Sequence, residues 1–220
     1  GLTDTMTIHV EVTPVNDAPT ADPEQGTTTA EDTPVKGTIE ADDVDLDREG
    51  DDLTYTVTGN PTNGTVTIDG TTGEYTYTPN PNYNGGDSFT ITVTDKDGQK
   101  VEVKVPVTVT PVNDAPEFDE GQAGTNPNAP LTVLEDPTAP LTGTVTADDV
   151  DLPEGDEITF STGGTSANGG VVTVDPITGE YKYTPAKDFN GKDSFTITVT
   201  DKAGLTDTMT IHVEVTPVND

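Results

Sequence analysis

The chain has 220 residues, of which 41 are acidic and 9 are basic, and its net charge is −32. This charge excludes nucleic acid and anionic membrane surfaces as partners, because both are bound through clustered Lys and Arg. There is no Cys, so disulfides and thiolate metal sites are excluded as well. Because so many carboxylates repel one another, the composition favours a protein that works with bound cations.

The chain repeats itself at intervals of about one domain. The phrase TPVND stands at residues 13–17, 110–114 and 216–220, and residues 1–17 are identical to residues 204–220. We therefore predict three parts. Residues 1–17 are the last strand and linker of a truncated preceding repeat, residues 18–114 form repeat A, and residues 115–220 form repeat B.

Within each repeat the apolar residues alternate with polar ones, which is typical of half-buried strands. In repeat A, Tyr75 and Tyr77, residues 89–94 and residues 101–109 follow this pattern. Their counterparts in repeat B are Tyr181 and Tyr183, residues 195–199 and residues 209–215. Gly- and Asn-rich turns separate these runs, and Pro106 suggests an edge position or a bulge in the last strand of repeat A. The prediction is an all-β fold of two tandem seven-stranded antiparallel Greek-key β-sandwiches.

Acidic elements recur at matching places in the two repeats. They are the pair 31–32 with 135–136, the loop 41–46 with 147–152, the turn 93–98 with 199–204, and the weaker element 82–87 with 188–193. Acids at loop ends commonly serve only solvation. Here their recurrence beside the joints favours a metal, and Ca²⁺ takes six to eight oxygen ligands of this kind.

The phrases VNDAP, ED, ADDVD, TGEYTYTP and DSFTITVTD together show a family resemblance. The sequence resembles the tandem cadherin-like, immunoglobulin-type repeats that extend bacterial surface adhesins of the RTX class. That resemblance implies Ca²⁺ at the joints between repeats, with ligands from both neighbours and the linker.

The resemblance implies a ligand set for each joint. The middle joint would take Glu31, Asp32 and Asp87 from repeat A, Asn113 and Asp114 from the linker, and Asp149, Asp151 and Asp201 from repeat B. The first joint would take Asn16, Asp17, Asp43, Asp45 and Asp95. Glu135, Asp136, Asp193, Asn219 and Asp220 would form half a site at the far end.

An enzyme is disfavoured, because His9 and His212 are copies of one outward strand position and no nucleophile or zinc signature appears. The expected function is that of a Ca²⁺-rigidified extender in a long bacterial surface adhesin, monomeric, extracellular, and contacting neighbouring repeats of the same polypeptide. The alternative is an adhesin module that itself binds carbohydrate or peptide. The chain lacks Trp, and Tyr83 and Phe118 are the aromatic residues left for such a surface.

Overall fold

The computed structural model describes residues 2–13, 15–45, 52–151 and 157–219. It divides into two compact units, Gly1–Val112 (unit 1) and Asn113–Asp220 (unit 2). Every regular element in these described residues is a β-strand, and they contain no helix able to span a membrane. Leu46 and Leu152 of the predicted acidic loops, and the predicted ligand Asp220, lie outside the described residues.

Unit 1 is built from short strands separated by turns, as the alternating pattern predicts. Its strands are β1 (Thr20–Ala21), β2 (Thr27–Ala30), β3 (Val35–Thr38), β4 (Ala41–Asp42), β5 (Thr54–Gly59), β6 (Gly64–Ile68), β7 (Glu74–Pro79), β8 (Gly85–Thr94) and β9 (Lys100–Thr110). One sheet has the order β2-β9-β8-β5, a second has the order β3-β7-β6, and β1 pairs with β4.

Unit 2 repeats this arrangement strand for strand. Its strands are β10 (Glu117–Phe118), β11 (Leu131–Leu134), β12 (Leu141–Thr144), β13 (Ala147–Asp148), β14 (Thr159–Thr162), β15 (Val171–Val174), β16 (Glu180–Thr184), β17 (Gly191–Thr200) and β18 (Thr206–Thr216). The sheets have the orders β11-β18-β17-β14 and β12-β16-β15, and β10 pairs with β13.

The predicted fold class is confirmed, with seven strands in the two larger sheets of each unit as described. One pair in each unit departs from the antiparallel expectation, because β2 runs parallel to β9 and β11 runs parallel to β18.

The expectation for Pro106 is wrong, because β9 lies between β2 and β8 rather than at an edge. Pairing with β2 begins at Val107, and an isolated bridge joins Glu24 to Lys104. Pro106 therefore falls where the β2 side of the ladder is interrupted, and its missing N–H leaves no pairing broken.

The core of each unit lies between its two sheets and is centred on aromatic contacts. In unit 1, the ring of Phe89 lies 5.2 Å from that of Tyr75 and 6.1 Å from that of Tyr77. In unit 2, Phe195 lies 5.4 Å from Tyr181 and 5.5 Å from Tyr183. These cores hold the strands in fixed register, which in turn fixes where the acidic loop ends emerge.

Candidate metal sites

The first acidic site of unit 1 is a network that the linker residues join to two loops. We call Asn16, Asp17, Asp43, Asp45 and Asp95 the amino-end cluster of unit 1. The amide of Asn16 donates to Oδ2 of Asp95 at 2.9 Å, and the N–H of Asp17 donates to Oδ2 of Asp45 at 2.8 Å. The N–H of Asp45 donates to Oδ1 of Asp43 at 3.0 Å. These bonds hold the linker residues against the loops of their own unit.

Unit 2 contains the same network, made by Asn113, Asp114, Asp149, Asp151 and Asp201, its amino-end cluster. Asn113 donates to Oδ2 of Asp201 at 2.6 Å, and the N–H of Asp114 donates to Oδ2 of Asp151 at 2.8 Å. The N–H of Asp151 donates to Oδ1 of Asp149 at 2.9 Å. The structure thus brings together, in each unit, the five predicted residues that follow a joint.

At one matching position of the two clusters, Asp43 in unit 1 and Asp149 in unit 2, the carboxylate has a buried oxygen that accepts no hydrogen bond from the described residues. Asp43 is 4% exposed and Asp149 is 6% exposed, and Oδ2 of each has no partner among the described residues. An unpaired buried anionic oxygen is costly unless a cation or donor compensates it. The same atom is orphaned at the same position in both units, so it is a feature of the repeat.

Hydrogen bonds keep the carboxylates of Asp95 in unit 1 and Asp201 in unit 2 ionised. Desolvation raises the pKa of the Asp95 carboxyl, but the hydrogen bonds from Asn16 and from the N–H groups of residues 97–99 outweigh it. The pKa of Asp95 therefore lies below its ordinary value. The pKa of Asp201 is lowered in the same way, with desolvation opposed by bonds from Asn113 and from residues 203–205. Both groups are anionic at neutral pH.

A buried glutamate lies at the other end of each unit. Glu31 is 3% exposed and Glu135 is 6% exposed. Oε1 of Glu31 accepts the N–H of Val112 at 2.5 Å, and Oε1 of Glu135 accepts the N–H of Val218 at 2.7 Å. Each glutamate therefore holds the residue with which the following linker begins.

The predicted ligands next to these glutamates have turn geometry. Asp32 and Asp136 have positive φ angles of 56° and 47°, which short polar side chains tolerate. Oδ1 of Asp32 accepts the N–H of Asn82 at 3.0 Å, and Oδ1 of Asp136 accepts the N–H of Asp188 at 3.3 Å. Both are exposed and tie one turn to another. Asn219 is exposed too.

Asp193 is buried and Asp87 is half-buried, and each accepts hydrogen bonds from donors inside its own unit. Asp193 is 5% exposed. Its Oδ2 accepts the hydroxyls of Tyr183 at 2.7 Å and Ser166 at 2.5 Å, and its Oδ1 accepts the N–H groups of Asn168 at 3.0 Å and Ser194 at 2.8 Å. The bond from the Tyr183 hydroxyl therefore links β16 of one sheet to β17 of the other.

Asp87 has the matching role in unit 1, where Tyr77 on β7 donates to Oδ2 at 2.9 Å. Three backbone N–H groups, those of Thr62, Asn63 and Ser88, also donate to its carboxylate. Since internal donors occupy Asp87 and Asp193, we do not include them in the metal sites proposed below.

Asn190 and Gln99 add polar contacts that the ligand sets do not contain. Asn190 donates to Oε2 of Glu135 at 3.1 Å, and Gln99 donates to the main-chain carbonyl of Asn16 at 3.1 Å. Asn190 lies in the recurring acidic element 188–193, so the sequence pattern could have identified it as part of the site. Gln99 has Leu205 as its counterpart, so the repeat pattern conceals it.

Side-chain carboxylates alone do not form a complete metal cage. Within the ranges that the structure describes, no group of three or more Asp, Glu, His or Cys side chains is arranged to hold an ion by itself. The bonds above explain this, because N–H donors take one oxygen of most clustered carboxylates. Each amino-end cluster contains oxygen atoms that could bind a cation: a buried carboxylate oxygen without a hydrogen bond, further anionic carboxylates and an Asn amide. That chemistry fits Ca²⁺, with main-chain carbonyls or water as further ligands.

Comparison with known proteins agrees with this fold. The chain is similar to human CDH23 EC21-23, with a TM-score of 0.55 and 20% sequence identity over 92% of this chain and 70% of that one. It is also similar to PcdhgB3 EC1-4, with a TM-score of 0.60 and 17% identity over 92% of this chain and half (50%) of that one. At such identities the similarity establishes the fold alone: cadherin-like, immunoglobulin-like sandwiches in tandem.

Each repeat also matches a family model. Residues 16–109 match the model of the bacterial Ig domain, and residues 113–217 match that of the bacterial cadherin-like domain. The first repeat is therefore similar to a bacterial Ig domain, and the second is similar to a bacterial cadherin-like domain. Such domains are typically extracellular and typically structural or adhesive. No match is found among curated proteins.

Proposed function

We propose that the chain is a Ca²⁺-stiffened extender segment of a bacterial surface adhesin of the RTX class, which holds distal ligand-binding domains away from the cell. The observation that supports this most directly is the buried, unpartnered Oδ2 of Asp43 and of Asp149, present at one position in both units. A cation is the compensation that fits an anionic oxygen inside a cluster of further carboxylates.

Asn16 and Asp17 would hold the ion in unit 1 together with Asp43, Asp45 and Asp95, and their five counterparts would hold it in unit 2. When bound, Ca²⁺ supplies the positive charge that cancels repulsion among these carboxylates.

The linker is where such binding has a mechanical effect. Glu31 holds the N–H of Val112, and Asp201 holds the side chain of the next residue, Asn113. Each bond lies within one unit, but the two bonds fix consecutive residues of the linker. Loss of mutual repulsion among the acids makes these bonds more persistent, so the chain bends less at residues 112–114. A series of such linkers gives an acidic polypeptide the stiffness of a rod.

Calorimetric titration and solution scattering of the full chain test the proposal together. We expect Ca²⁺ to bind with a stoichiometry of at least one per amino-end cluster, and excess chelator to lower the melting temperature and change the scattering profile. Superimposable profiles with Ca²⁺ and with chelator would refute the stiffening mechanism. No heat of binding would refute the metal site.

A double variant localises the effect. Asp149→Ala with Asp151→Ala should abolish Ca²⁺-dependent stiffening at the middle linker while both units remain folded. A matched control is Glu102→Ala with Glu180→Ala, which removes the same charge from exposed strand positions. Equal effects of the two double variants would mean that net charge, rather than a site, controls the scattering.

The alternative of a glycan- or peptide-binding module gains no support from the two aromatic residues available for it. Tyr83 and Phe118 are partly buried against the cores of their units. Tyr83 also donates to the carbonyl of Gly86 at 2.7 Å, and the ring of Phe118 lies 6.1 Å from that of Phe160. Neither ring is presented as a platform for a sugar.

A further inference from the structure

The parallel strand pair of each unit joins an early strand to the strand that leads into the outgoing linker. In unit 1, Thr27–Ala30 of β2 pairs with residues 107–110 of β9. In unit 2, Leu131–Leu134 of β11 pairs with residues 213–216 of β18. The buried glutamate of each unit follows the early strand directly, so it lies at the end of this parallel ladder.

Glu31 extends the ladder of unit 1 by two hydrogen bonds. Its N–H donates to the carbonyl of Thr110 at 2.9 Å, and its Oε1 accepts the N–H of Val112 at 2.5 Å. In a continuing parallel ladder a main-chain carbonyl would accept that second N–H, but the chain turns away at Asp32, whose φ is 56°. The carboxylate of Glu31 therefore takes the place of a main-chain carbonyl. The hydroxyl of Thr110 adds a bond to the carbonyl of Thr29 at 3.2 Å.

Unit 2 has the same arrangement. The N–H of Glu135 donates to the carbonyl of Thr216 at 2.9 Å, and Oε1 of Glu135 accepts the N–H of Val218 at 2.7 Å. The hydroxyl of Thr216 donates to the carbonyl of Val133 at 3.3 Å. We call the parallel pair, together with its glutamate, the terminal clamp of each unit.

The two linkers of unit 1 are held at opposite ends of β9. Gln99, which immediately precedes β9, donates to the carbonyl of Asn16 at 3.1 Å, and Glu31 holds Val112 just beyond the other end of the strand. Because β9 has 11 residues, roughly 35 Å separates these two attachments. Tension on the linkers therefore pulls β9 forward and pulls β2, which follows the incoming linker, backward. Two parallel strands pulled in this way are loaded in shear, so their hydrogen bonds break together rather than one at a time.

We propose that Glu31 and Glu135 are force-bearing residues, each of which holds the terminal clamp of its unit closed and so sets how fast that unit unfolds under tension. The role rests on the proposed function, because an extender transmits the pull between a cell and whatever its adhesin holds. Glu31 is 3% exposed and Glu135 is 6% exposed, so water cannot replace the linker N–H as a donor until the strands separate.

The expected size of the effect follows from the strength of the bond. Forced unfolding is governed by the unfolding rate, and loss of a native interaction that is absent from the transition state raises that rate. Loss of a hydrogen bond to a charged group corresponds to a change in rate of about ten- to a hundredfold.

Single-molecule unfolding at constant force tests the role with the full chain, held by handles at its two ends in excess chelator. Each molecule contains two units and should give two unfolding events. Glu31→Ala should speed one event about ten- to a hundredfold, and Glu135→Ala should speed the other. The unaltered unit in each variant is an internal control. No acceleration of either event would overturn the proposal.

Two further variants separate the clamp from general stability. Glu31→Gln keeps an oxygen that can accept the N–H of Val112, so it should speed unfolding less than Glu31→Ala does. Ile68→Ala is the control, because Ile68 packs against the core of unit 1 from β6, outside the clamp. It should lower the melting temperature without a matching acceleration under force. Equal acceleration by Ile68→Ala at an equal loss of melting temperature would refute a force-bearing role for Glu31.

A milder variant serves if Glu31→Ala does not fold. Thr110→Val removes the hydroxyl bond to Thr29 from the same clamp and keeps the shape of the side chain. Unfolding of unit 1 under force should then become about two- to tenfold faster. An unchanged rate would contradict the clamp.

The use of chelator distinguishes the clamp from the metal sites, since neither amino-end cluster then holds a cation. An unchanged rate in Glu31→Ala, together with Ca²⁺-dependent scattering of the unaltered chain, would overturn the clamp and leave the extender proposal standing. Faster unfolding in Glu31→Ala, together with superimposable scattering profiles, would support the clamp and refute Ca²⁺-dependent stiffening.

Discussion

Replacing Asp149 by asparagine should have opposite effects on stability with and without Ca²⁺. In the structure Oδ1 of Asp149 accepts the N–H of Asp151 at 2.9 Å, while Oδ2 is buried and has no partner among the described residues. The asparagine side chain keeps the first bond and replaces the unpaired anionic oxygen with a neutral NH₂ group, for which neighbouring carboxylates are acceptors.

The magnitude follows from the cost of an unsatisfied buried group, which is about 1–3 kcal/mol. In chelator we therefore expect Asp149→Asn to stabilise unit 2 by about 1 kcal/mol or more, a rise in melting temperature of about 4 °C or more for a unit of this size. Ca²⁺ at about 100 times its dissociation constant would stabilise the unaltered protein by about 2.7 kcal/mol. The variant should lose most of that gain and so become the less stable protein.

Differential scanning calorimetry in chelator and in excess Ca²⁺ measures both effects. The control is Asp148→Asn, which removes the same charge at an adjacent exposed position and should shift both melting temperatures little. If Asp149→Asn lowers the melting temperature in chelator, the unpaired oxygen is not a cost to the metal-free protein. The cation-site reasoning would then be wrong.

Three further perturbations test other parts of the fold. Asp193→Asn should destabilise unit 2 by about 2 kcal/mol, because the buried carboxylate accepts hydroxyls from Tyr183 and Ser166. Desolvation raises the pKa of Asp193, but the hydrogen bonds that its carboxylate accepts outweigh this and hold the pKa below its ordinary value. The stabilisation that the ionised carboxylate gives to the folded state is therefore complete above about pH 4, and it is lost as the pH falls through the pKa of the folded state. Urea titrations at a series of pH values should accordingly show the difference between the two proteins shrinking in acid, and a constant difference would contradict this assignment. Gly143→Ala should cost about 1–3 kcal/mol, since its Cβ would lie 2.3 Å from the hydroxyl oxygen of Tyr181; an unchanged melting temperature would show that the ring moves freely. In chelator, NaCl should raise the melting temperature by screening the net charge of −32, and a fall on adding salt would contradict self-repulsion as the destabilising force.

Much of the fold was readable from the sequence because both repeats have the same alternation. Phe89, Ile91 and Val93 face the core together because strand side chains alternate with a period of two. The acidic loop ends were readable for a related reason, since they follow directly from where the strands stop. The parallel pairing of β2 with β9 could not be predicted from the sequence, because alternation shows which residues share a face of a strand but not which strand lies beside it.

The candidate site divides in the same manner. The sequence groups Asp43, Asp45 and Asp95 through their recurrence near a joint, and the structure places them in one network. The sequence alone does not distinguish these acids from Asp87. In the structure, the Asp87 carboxylate accepts a hydrogen bond from the hydroxyl of Tyr77, which lies on the opposite sheet, at 2.9 Å. That contact depends on how the two sheets pack against each other, so a local sequence pattern does not predict it.

The sequence by itself determined that this protein is modular, all-β and strongly anionic, and that its acids gather at the ends of repeats. These properties follow from composition and period, which act locally along the chain. Only the tertiary structure decided which acids are already satisfied. Hydrogen bonds occupy Asp45 and Asp193, whereas burial leaves one oxygen of Asp43 and of Asp149 without a partner among the described residues, because a carboxylate's surroundings come from strands distant in sequence.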